Sequence, residues 1–487
     1  VNANPATPAD AVTLLMSSVD TALERVEIFR STGHNFTVAD LQNLPLIRID
    51  DVGASVSVDV DNQVVIGAAD QLQVDVLEFG SRSSSSFGRS ELTLDEGIEV
   101  IQLTDRANAA SFASDMSAIN GGYNRIVIDG GATGVDLTVQ EVLGESGGFL
   151  SAFGTNIIVD STALLGDLVA DIDGAQTGEV YTGVGNDELV AHNDFSGYVD
   201  TGAGNDLVYL IDGTPGTGIL WGTIITGDGH DEIVVDGYVW GAILAGAGND
   251  YVYVDEEVFG SVSGGAGSDY VYVGEGVDGN VAGDDGDDDI EVYNGVSGTV
   301  NGDAGNDQLE QFTDGASGRV TGTMSGGSGN DYIYNNGELG NNAFGFANGT
   351  LVGGDGNDVI QQDDTMREGS AIYGGAGDDS IQVFGTLIEG DVGFSDGQSG
   401  AYIDGGDGND AIYISAIHDG MVDAGSGNDN VEMHGDQREG FVALNSGDDV
   451  IVFHNEADFL GDGVGGVGDG GIDGGTGANT MTLRINV

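Results

Sequence analysis

Two aliphatic positions repeat along the C-terminal two-thirds of the chain, each at a fixed distance from an aspartate. Two residues after each of Asp187, Asp206, Asp231, Asp250, Asp269, Asp288, Asp307, Asp331, Asp358, Asp379, Asp410, Asp429 and Asp449 stands Leu, Val or Ile, from Leu189 to Ile451. Seven residues before each stands Val, Ile, Leu or Met, from Val180 to Val442. A last copy carries Asn479 in the aspartate's place and keeps both positions through Met481 and Ile472. From Asp231 to Asp307 every step is 19 residues. Longer steps, such as Asp379 to Asp410, read as loops inserted into a repeat. Aliphatic residues pointing inward at period 2 predict two short strands per repeat. The turn between the strands is G-x-G-N-D; the opposite turn is looser and carries its own apolar residue, as at Val239, Val258, Val277 and Val296. No repeat buries its apolar face alone, so neighbours must cover it. The pattern predicts an all-β fold, a parallel β-solenoid with two strands per rung of about 19 residues. A glycine in every repeat argues against helix.

The first third of the chain reads differently. Residues 1–50 form an N-terminal cap, with Leu14, Leu15, Val19, Leu23, Val26 and Ile28 predicting an amphipathic helix over Thr13 to Phe29 behind Pro8 and Asp10. Residues 51–170 are β-rich, either an irregular, degenerate solenoid or a sandwich. Strands are expected at Ser55–Val60, Gln71–Glu78, Glu91–Leu103, Arg125–Asp129 and Asn156–Asp160, and a short helix at Ala109–Ile119. Gly130 to Asp136 resembles an overlong copy of the turn. Residues 171–487 are the repeat region. The start, Val1-Asn2-Ala3-Asn4, reads as a processed form or a segment of something longer.

Charge sharpens the picture. The chain has 82 acidic and 11 basic residues, a net charge of -71. Carboxylates at this density repel one another unless a cation sits among them. Nucleic acid and anionic membranes are poor partners, because both require Lys and Arg. No stretch of about 18 apolar residues exists to span a membrane. There are 87 glycines, only 4 prolines and no cysteine, which excludes collagen, disulfides and thiolate metal sites.

The counter-ion that fits is Ca²⁺, which takes six to eight oxygens at about 2.3–2.6 Å. One turn offers too few oxygens, whereas two turns stacked a rung apart offer enough. The expected ligands are the thirteen aspartates named above, with backbone carbonyls of turns such as Gly202, Gly204, Gly246, Gly248, Gly265, Gly267, Gly354, Gly356, Gly375, Gly377, Gly406, Gly408, Gly425 and Gly427. With one such turn per rung, about a dozen ions should form a single column along one edge. The alternative is a plain tight turn without metal, in which stacked carboxylates would repel along the whole edge.

These turns resemble the nonapeptide of RTX (hemolysin-type calcium-binding repeat) proteins, G-G-x-G-x-D-x-U-x. The best matches are Gly264-Gly265-Ala266-Gly267-Ser268-Asp269-Tyr270-Val271-Tyr272 and Gly405-Gly406-Asp407-Gly408-Asn409-Asp410-Ala411-Ile412-Tyr413. The resemblance covers about residues 174–483. The familiar RTX roll binds Ca²⁺ on both edges of an 18-residue coil; the 19-residue period with one motif per coil is more similar to the RTX solenoid of bacterial ice-binding adhesins. Leu92 to Leu103 also resembles a strand of RTX-type bacterial S-layer proteins. The resemblance implies type I secretion and folding outside the cell, at a bacterial surface.

Three functions compete for this sequence. Catalysis finds no support: His34, His192, His230, His418, His434 and His454 are scattered, and neither H-E-x-x-H nor G-x-S-x-G occurs. Ice binding in the adhesin family uses Thr at the middle of the turn; here that place holds Val184, Ala203, Asp228, Ala247, Ala266, Asp285, Ala304, Ser328, Asp355, Ala376, Asp407, Ser426 and Ser446, and only Thr476 fits. A calcium-dependent structural protein remains. It is expected to self-assemble as a homo-oligomer into a surface layer, sheath or filament, with a cell-surface polysaccharide as a candidate anchor. The alternatives are an RTX adhesin stalk and, less favoured, the calcium module of a secreted enzyme. Tyr251, Tyr253, Tyr270 and Tyr272 should form an outward ladder, with Tyr209, Tyr332, Tyr334 and Tyr413 at equivalent places. Such a ladder suits either an interface or cross-rung stiffening.

Overall fold

The computed structural model describes residues 179–192, 194–211, 218–313, 318–340, 349–387, 400–415, 420–434, 440–454 and 471–484, and upstream of these a series of strands from Val12–Leu15 to Leu168–Asp173. Internal packing divides the chain into two units, Val1–Ala247 and Gly248–Val487. Each is a parallel β-solenoid.

In the second unit the two aliphatic positions form two continuous columns. The residues seven before each aspartate pair in register from Val262 through Val281, Val300, Met324, Leu351, Ile372, Ile403 and Val422 to Val442 and Ile472. The residues two after pair from Val252 through Val271, Ile290, Leu309, Ile333, Ile360, Ile381, Ile412 and Val431 to Ile451 and Met481. All are buried except at the last described rung, where Met481 is 54% exposed. Each buried aliphatic side chain contributes about 1.5–3 kcal/mol. The 31-residue step from Asp379 to Asp410 leaves Ile381 opposite Ile412, so the longer step does not shift the register.

The rung has a third side that the two-strand reading lacked. Gly276–Val277, Gly295–Val296, Arg319–Val320 and Glu338–Leu339 form a narrow parallel sheet of their own. Val277, Val296, Val320 and Leu339 point inward and are fully buried, and isolated bridges extend the column to Met366 and Leu387. Three consecutive rungs then place an amide where others place an aliphatic: Gln311, Asn335 and Gln362, all 0% exposed. They are satisfied by one another and by the chain. Asn335 Nδ2 donates to Gln362 Oε1 at 2.6 Å, Gln362 Nε2 to the Gly337 carbonyl at 2.8 Å, and the Gly337 N–H to Gln311 Oε1 at 3.0 Å. A satisfied buried network of this kind fixes register where any aliphatic side chain would tolerate slippage.

In the first unit Val180, Val199, Ile224 and Ile243 form one column, and Leu189, Val208 and Ile233 the other. Parallel pairing continues upstream, as in Ala170 opposite Leu189, Ile126 opposite Leu150, and Val26 opposite Ile47. The strands described within residues 51–170 pair in parallel. Strands stand at Val56–Val60, Gln71–Val76, Arg125–Asp129 and Ile157–Asp160; the expected Glu91–Leu103 strand is two, Glu91–Leu94 and Val100–Asp105. The helix expected over Thr13 to Phe29 is overturned: strands occupy Val12–Leu15 and Arg25–Thr32. In the second of these Val26 and Ile28 alternate with Arg25 and Glu27 at period 2, which outweighs the looser helical spacing. The expected helix Ala109–Ile119 and most of the turn copy Gly130–Asp136 lie outside the described residues. Among the described residues no helix is long and apolar enough to cross a membrane.

Candidate metal centre

The turn is built around backbone that bends where side chains do not fit. At Gly267 φ is 135°, and an added Cβ would stand 1.4 Å from the carbonyl oxygen of Gly248 in the preceding rung. The other thirteen glycines named above as carbonyl donors also lie in the left-handed region, between φ 90° at Gly202 and 150° at Gly248. Three rungs replace the first of their two turn glycines by Asp284, Asp303 or Asn445, at φ 75°, 72° and 51°. Asp and Asn are the side chains that tolerate this conformation best.

All thirteen predicted aspartates reach the same place in their rungs, and all are at most 3% exposed. The Oδ1 of Asp187, Asp206, Asp231 and of every one from Asp269 to Asp449 accepts from the backbone of the rung before. The Asp250 N–H donates to Asp269 Oδ1 at 2.8 Å, Asp269 to Asp288 at 2.8 Å, Asp288 to Asp307 at 2.8 Å, and so on to Asp429 and Asp449 at 3.0 Å. Asn479 closes the series through its own Oδ1, 2.9 Å from the Asp449 N–H. The second oxygen is left over. Oδ2 of Asp269, Asp288, Asp307, Asp331, Asp358, Asp379, Asp410, Asp429 and Asp449 is buried with no hydrogen-bond partner. Burial pushes the carboxyls of Asp269, Asp288, Asp307, Asp331, Asp358, Asp379, Asp410 and Asp429 up, with the backbone N–H opposing it and, except at Asp331, neighbouring aspartates adding to it. Asp269, Asp288, Asp307, Asp358, Asp410 and Asp429 are raised to about 6, and Asp206 and Asp379 to about 7.

In seven rungs of the second unit the residue five before the aspartate faces that second oxygen. In the middle of the second unit it is glycine. A Cβ on Gly353 would stand 2.4 Å from Asp358 Oδ2 and 2.5 Å from the carbonyl oxygen of Gly374 in the next rung. Gly264, Gly283, Gly302, Gly326, Gly374 and Gly405 repeat the arrangement under Asp269, Asp288, Asp307, Asp331, Asp379 and Asp410. In the first unit the same place holds threonine. Thr201 stands within reach of two acceptors, the Thr226 carbonyl at 3.1 Å and the Asp206 carboxylate, whose pKa it lowers against the larger push of burial. Thr226 is placed likewise beside Asp231 and donates to the Ala245 carbonyl at 2.7 Å.

A second ladder runs one residue upstream and was not assigned a role from sequence. The side-chain oxygens of Asn186, Asn205, Asp287, Asn306, Asn330, Asn357, Asp378, Asn409, Asn428 and Asp448 accept from the backbone N–H of the same position one rung later, at 2.7–3.0 Å. Its polarity is opposite to that of the aspartate ladder, so each turn is tied to both neighbours. The signal was in the sequence: Asn and Asp dominate that place, and both supply the acceptor. Fully exposed Asp287 and Asp378 have their pKa lowered by the N–H groups they accept, while their neighbours Asp288 and Asp379 are raised.

These residues fit a hard divalent cation. A buried, unpartnered carboxylate oxygen repeated rung after rung needs either a proton or a cation beside it, and near neutral pH the cation serves best. The bare Cα under Oδ2 keeps carboxylate and carbonyl oxygens facing a space that a methyl would fill. When bound, Ca²⁺ would neutralise the column and crosslink successive rungs through these oxygens.

The Tyr251–Tyr270 and Tyr253–Tyr272 pairs stack as expected, centroids 5.3 and 4.7 Å apart. The view of the histidines as scattered needs correction for one pair, since His434 and His454 stack at 3.7 Å.

No family model matches this chain, and no curated protein does. Among solved structures it is similar to the X-ray structure of a hyperactive, Ca²⁺-dependent, β-helical antifreeze protein from an Antarctic bacterium. That likeness has 22% identity and a TM-score of 0.42, and covers 66% of this chain and 84% of that one.

Proposed function

We propose that this chain is an extracellular, calcium-dependent structural protein, a solenoid that sets when it meets Ca²⁺ outside the cell and self-assembles into a surface layer, sheath or filament. The observation that carries this reading is the stack of buried aspartate oxygens without hydrogen-bond partners. Extracellular calcium sites work at about 10⁻⁴–10⁻³ M. A carboxylate stack that needs such concentrations would stay unfolded inside a cell and fold after export. The test is a Ca²⁺ titration of chelated protein followed by far-UV circular dichroism, then electron microscopy of the loaded form. Folding by millimolar Ca²⁺ and ordered sheets or fibres support the reading. A β signal indifferent to chelation sinks the calcium part, and dispersed particles at high concentration sink the assembly part in favour of an adhesin stalk.

Surface chemistry supports assembly rather than catalysis. Trp221 and Trp240 stack at 5.3 Å while 50% and 47% exposed, and Phe384, Phe441 and Tyr251 are similarly open. Exposed aromatic clusters of this kind suit protein contacts.

Ice binding is the second reading. The mid-turn residues stack in register, as in Asp407, Ser426, Ser446 and Thr476. Asp228, Asp285, Asp355 and Asp407 put exposed charge into that column, which suits hydrated ions better than an ice plane. An ice-affinity assay separates the two.

A further inference from the structure

His434 and His454 each follow their turn aspartate by five residues, so the rung repeat brings them side by side on the outer face of one sheet. Their backbones are fixed: the His434 N–H donates to Ile414 O at 2.8 Å and the His454 N–H to Met433 O at 3.0 Å. The rings stack 12° from parallel with centroids 3.7 Å apart, and Tyr413 covers the far face of His434 at 4.8 Å. Glu432 lies two residues before His434 and shares its face by strand alternation. Its Oε2 is 3.6 Å from His434 Nε2 and 3.5 Å from His454 Nε2. The His454 side chain is only 19% exposed, and its Nε2 is buried with no hydrogen-bond partner. One carboxylate oxygen and two imidazole nitrogens thus converge within 4.8 Å of one another.

We propose that Glu432, His434 and His454 form a second metal site, chemically distinct from the aspartate column, for a borderline divalent cation such as Zn²⁺, Ni²⁺ or Cu²⁺. The donor set decides the class. Two imidazoles and one carboxylate suit these ions, whereas Ca²⁺ requires a shell of oxygens. The spacing agrees. Bonds of about 2.0–2.2 Å to a tetrahedral ion place its ligand atoms roughly 3.3 Å apart, close to the two separations onto Glu432. Those separations are too long for hydrogen bonds. A salt-bridge account would set two imidazolium charges against each other at stacking distance, with one carboxylate between them. A metal instead takes both rings neutral. Small opposite rotations about the two Cβ–Cγ bonds would turn the side-by-side lone pairs onto one ion, leaving a fourth position for water. Arg484 follows at the same place in the last described rung, and its charge would temper the affinity.

The test uses the full chain in millimolar Ca²⁺, so that the aspartate column is satisfied first. Zn²⁺ is titrated calorimetrically, and Co²⁺ is added separately to read its visible absorption. One Zn²⁺ per chain on this site is expected, with the Cε1 proton signals of two histidines moving together in NMR. Loss of an outer-shell partner already weakens metal sites by about 10–100-fold, so H434A, H454A and E432Q should each weaken Zn²⁺ at least tenfold. Their Ca²⁺-loaded circular dichroism should stay unchanged, which shows that the variants fold. The proposal is overturned if wild type and the H434A/H454A double variant bind Zn²⁺ alike, or if no histidine signal moves in the wild type. Neither outcome depends on whether Ca²⁺ fills the aspartate turns.

Discussion

The rungs led by Asp206 and Asp231 and those led by Asp269 through Asp410 carry the same turn and bury the same aspartate, yet they differ five residues upstream. Thr201 and Thr226 set a hydroxyl against the carboxylate in the first group. Gly264, Gly283, Gly302, Gly326, Gly353, Gly374 and Gly405 set a bare Cα there in the second. A hydroxyl supplies an oxygen and partial compensation; a bare Cα supplies neither and leaves room for a cation. The motif aspartate alone therefore does not decide how much a rung depends on metal. The small residue beneath it does, and the two groups should part company when calcium is withdrawn.

Chelation is the largest way to test this. With free Ca²⁺ about tenfold above its Kd, each site contributes about 1.4 kcal/mol. The seven glycine-floored sites would then contribute about 10 kcal/mol, as much as the whole stability of an ordinary domain. Excess EGTA near pH 7 should abolish hydrogen-exchange protection over residues 264–410 before it touches the threonine-floored rungs. Uniform loss would erase the distinction between the groups. Acidity should act with opposite sign on the two forms. Asp206, Asp269, Asp288, Asp307, Asp358, Asp379, Asp410 and Asp429 are raised to about 6 or 7, so the chelated fold holds protons more tightly than the unfolded chain. Its stability is present below the ordinary aspartate pKa of about 4 and lost as pH rises through 6 to 7. The loaded form needs ionised carboxylates and should gain stability over the same range. Melting temperatures in EGTA and in Ca²⁺, measured from pH 4 to 8, should therefore slope in opposite directions.

Gly353→Ala narrows the test to one rung. The new methyl would collide with Asp358 Oδ2 and Gly374 O, adding about 1–3 kcal/mol of overpacking to the loss of one ion. A combined loss of about 3 kcal/mol in Ca²⁺ is expected from denaturant melts. Thr201→Ala removes a hydroxyl without filling space and should cost about 1 kcal/mol. Equal effects of the two would mean that the floor residue does not matter.

Periodicity made most of this legible. A constraint repeated in every rung, such as the aspartate and its two aliphatic partners, stands out because nothing but the fold keeps it in phase. The upstream floor position is hidden because Thr and Gly are both merely small until the neighbouring carboxylate is in view. The third side was half seen, as apolar residues in a loose turn. Its short strands depend on contacts between rungs that no single rung encodes. Gln311, Asn335 and Gln362 are visible as breaks in an aliphatic column, but their mutual hydrogen bonds are not. His434 and His454 were passed over for want of a linear motif, although a separation of one rung is the motif of a solenoid. The misread helix at Thr13 shows the converse, since outside the repeat a few leucines suit two periods at once.

The finest test lies between two adjacent aspartates. Asp288 is buried and raised to about 6, while Asp287 is exposed and lowered by the Asn306 N–H groups it accepts. Asp288→Asn keeps the acceptor toward Asp269 but removes the charge that would hold an ion. It should cost about 1.4 kcal/mol in Ca²⁺ and stabilise the chelated form, because an uncompensated buried charge is gone. Asp287→Asn keeps its acceptor in water and should move stability by a few tenths of a kcal/mol at most, with one sign in both conditions. A crossing of sign for residue 288 and none for residue 287 would tie the metal to the inner column atom by atom. The same response at both positions would instead mean that the chain answers to its total charge of -71 and not to any particular carboxylate.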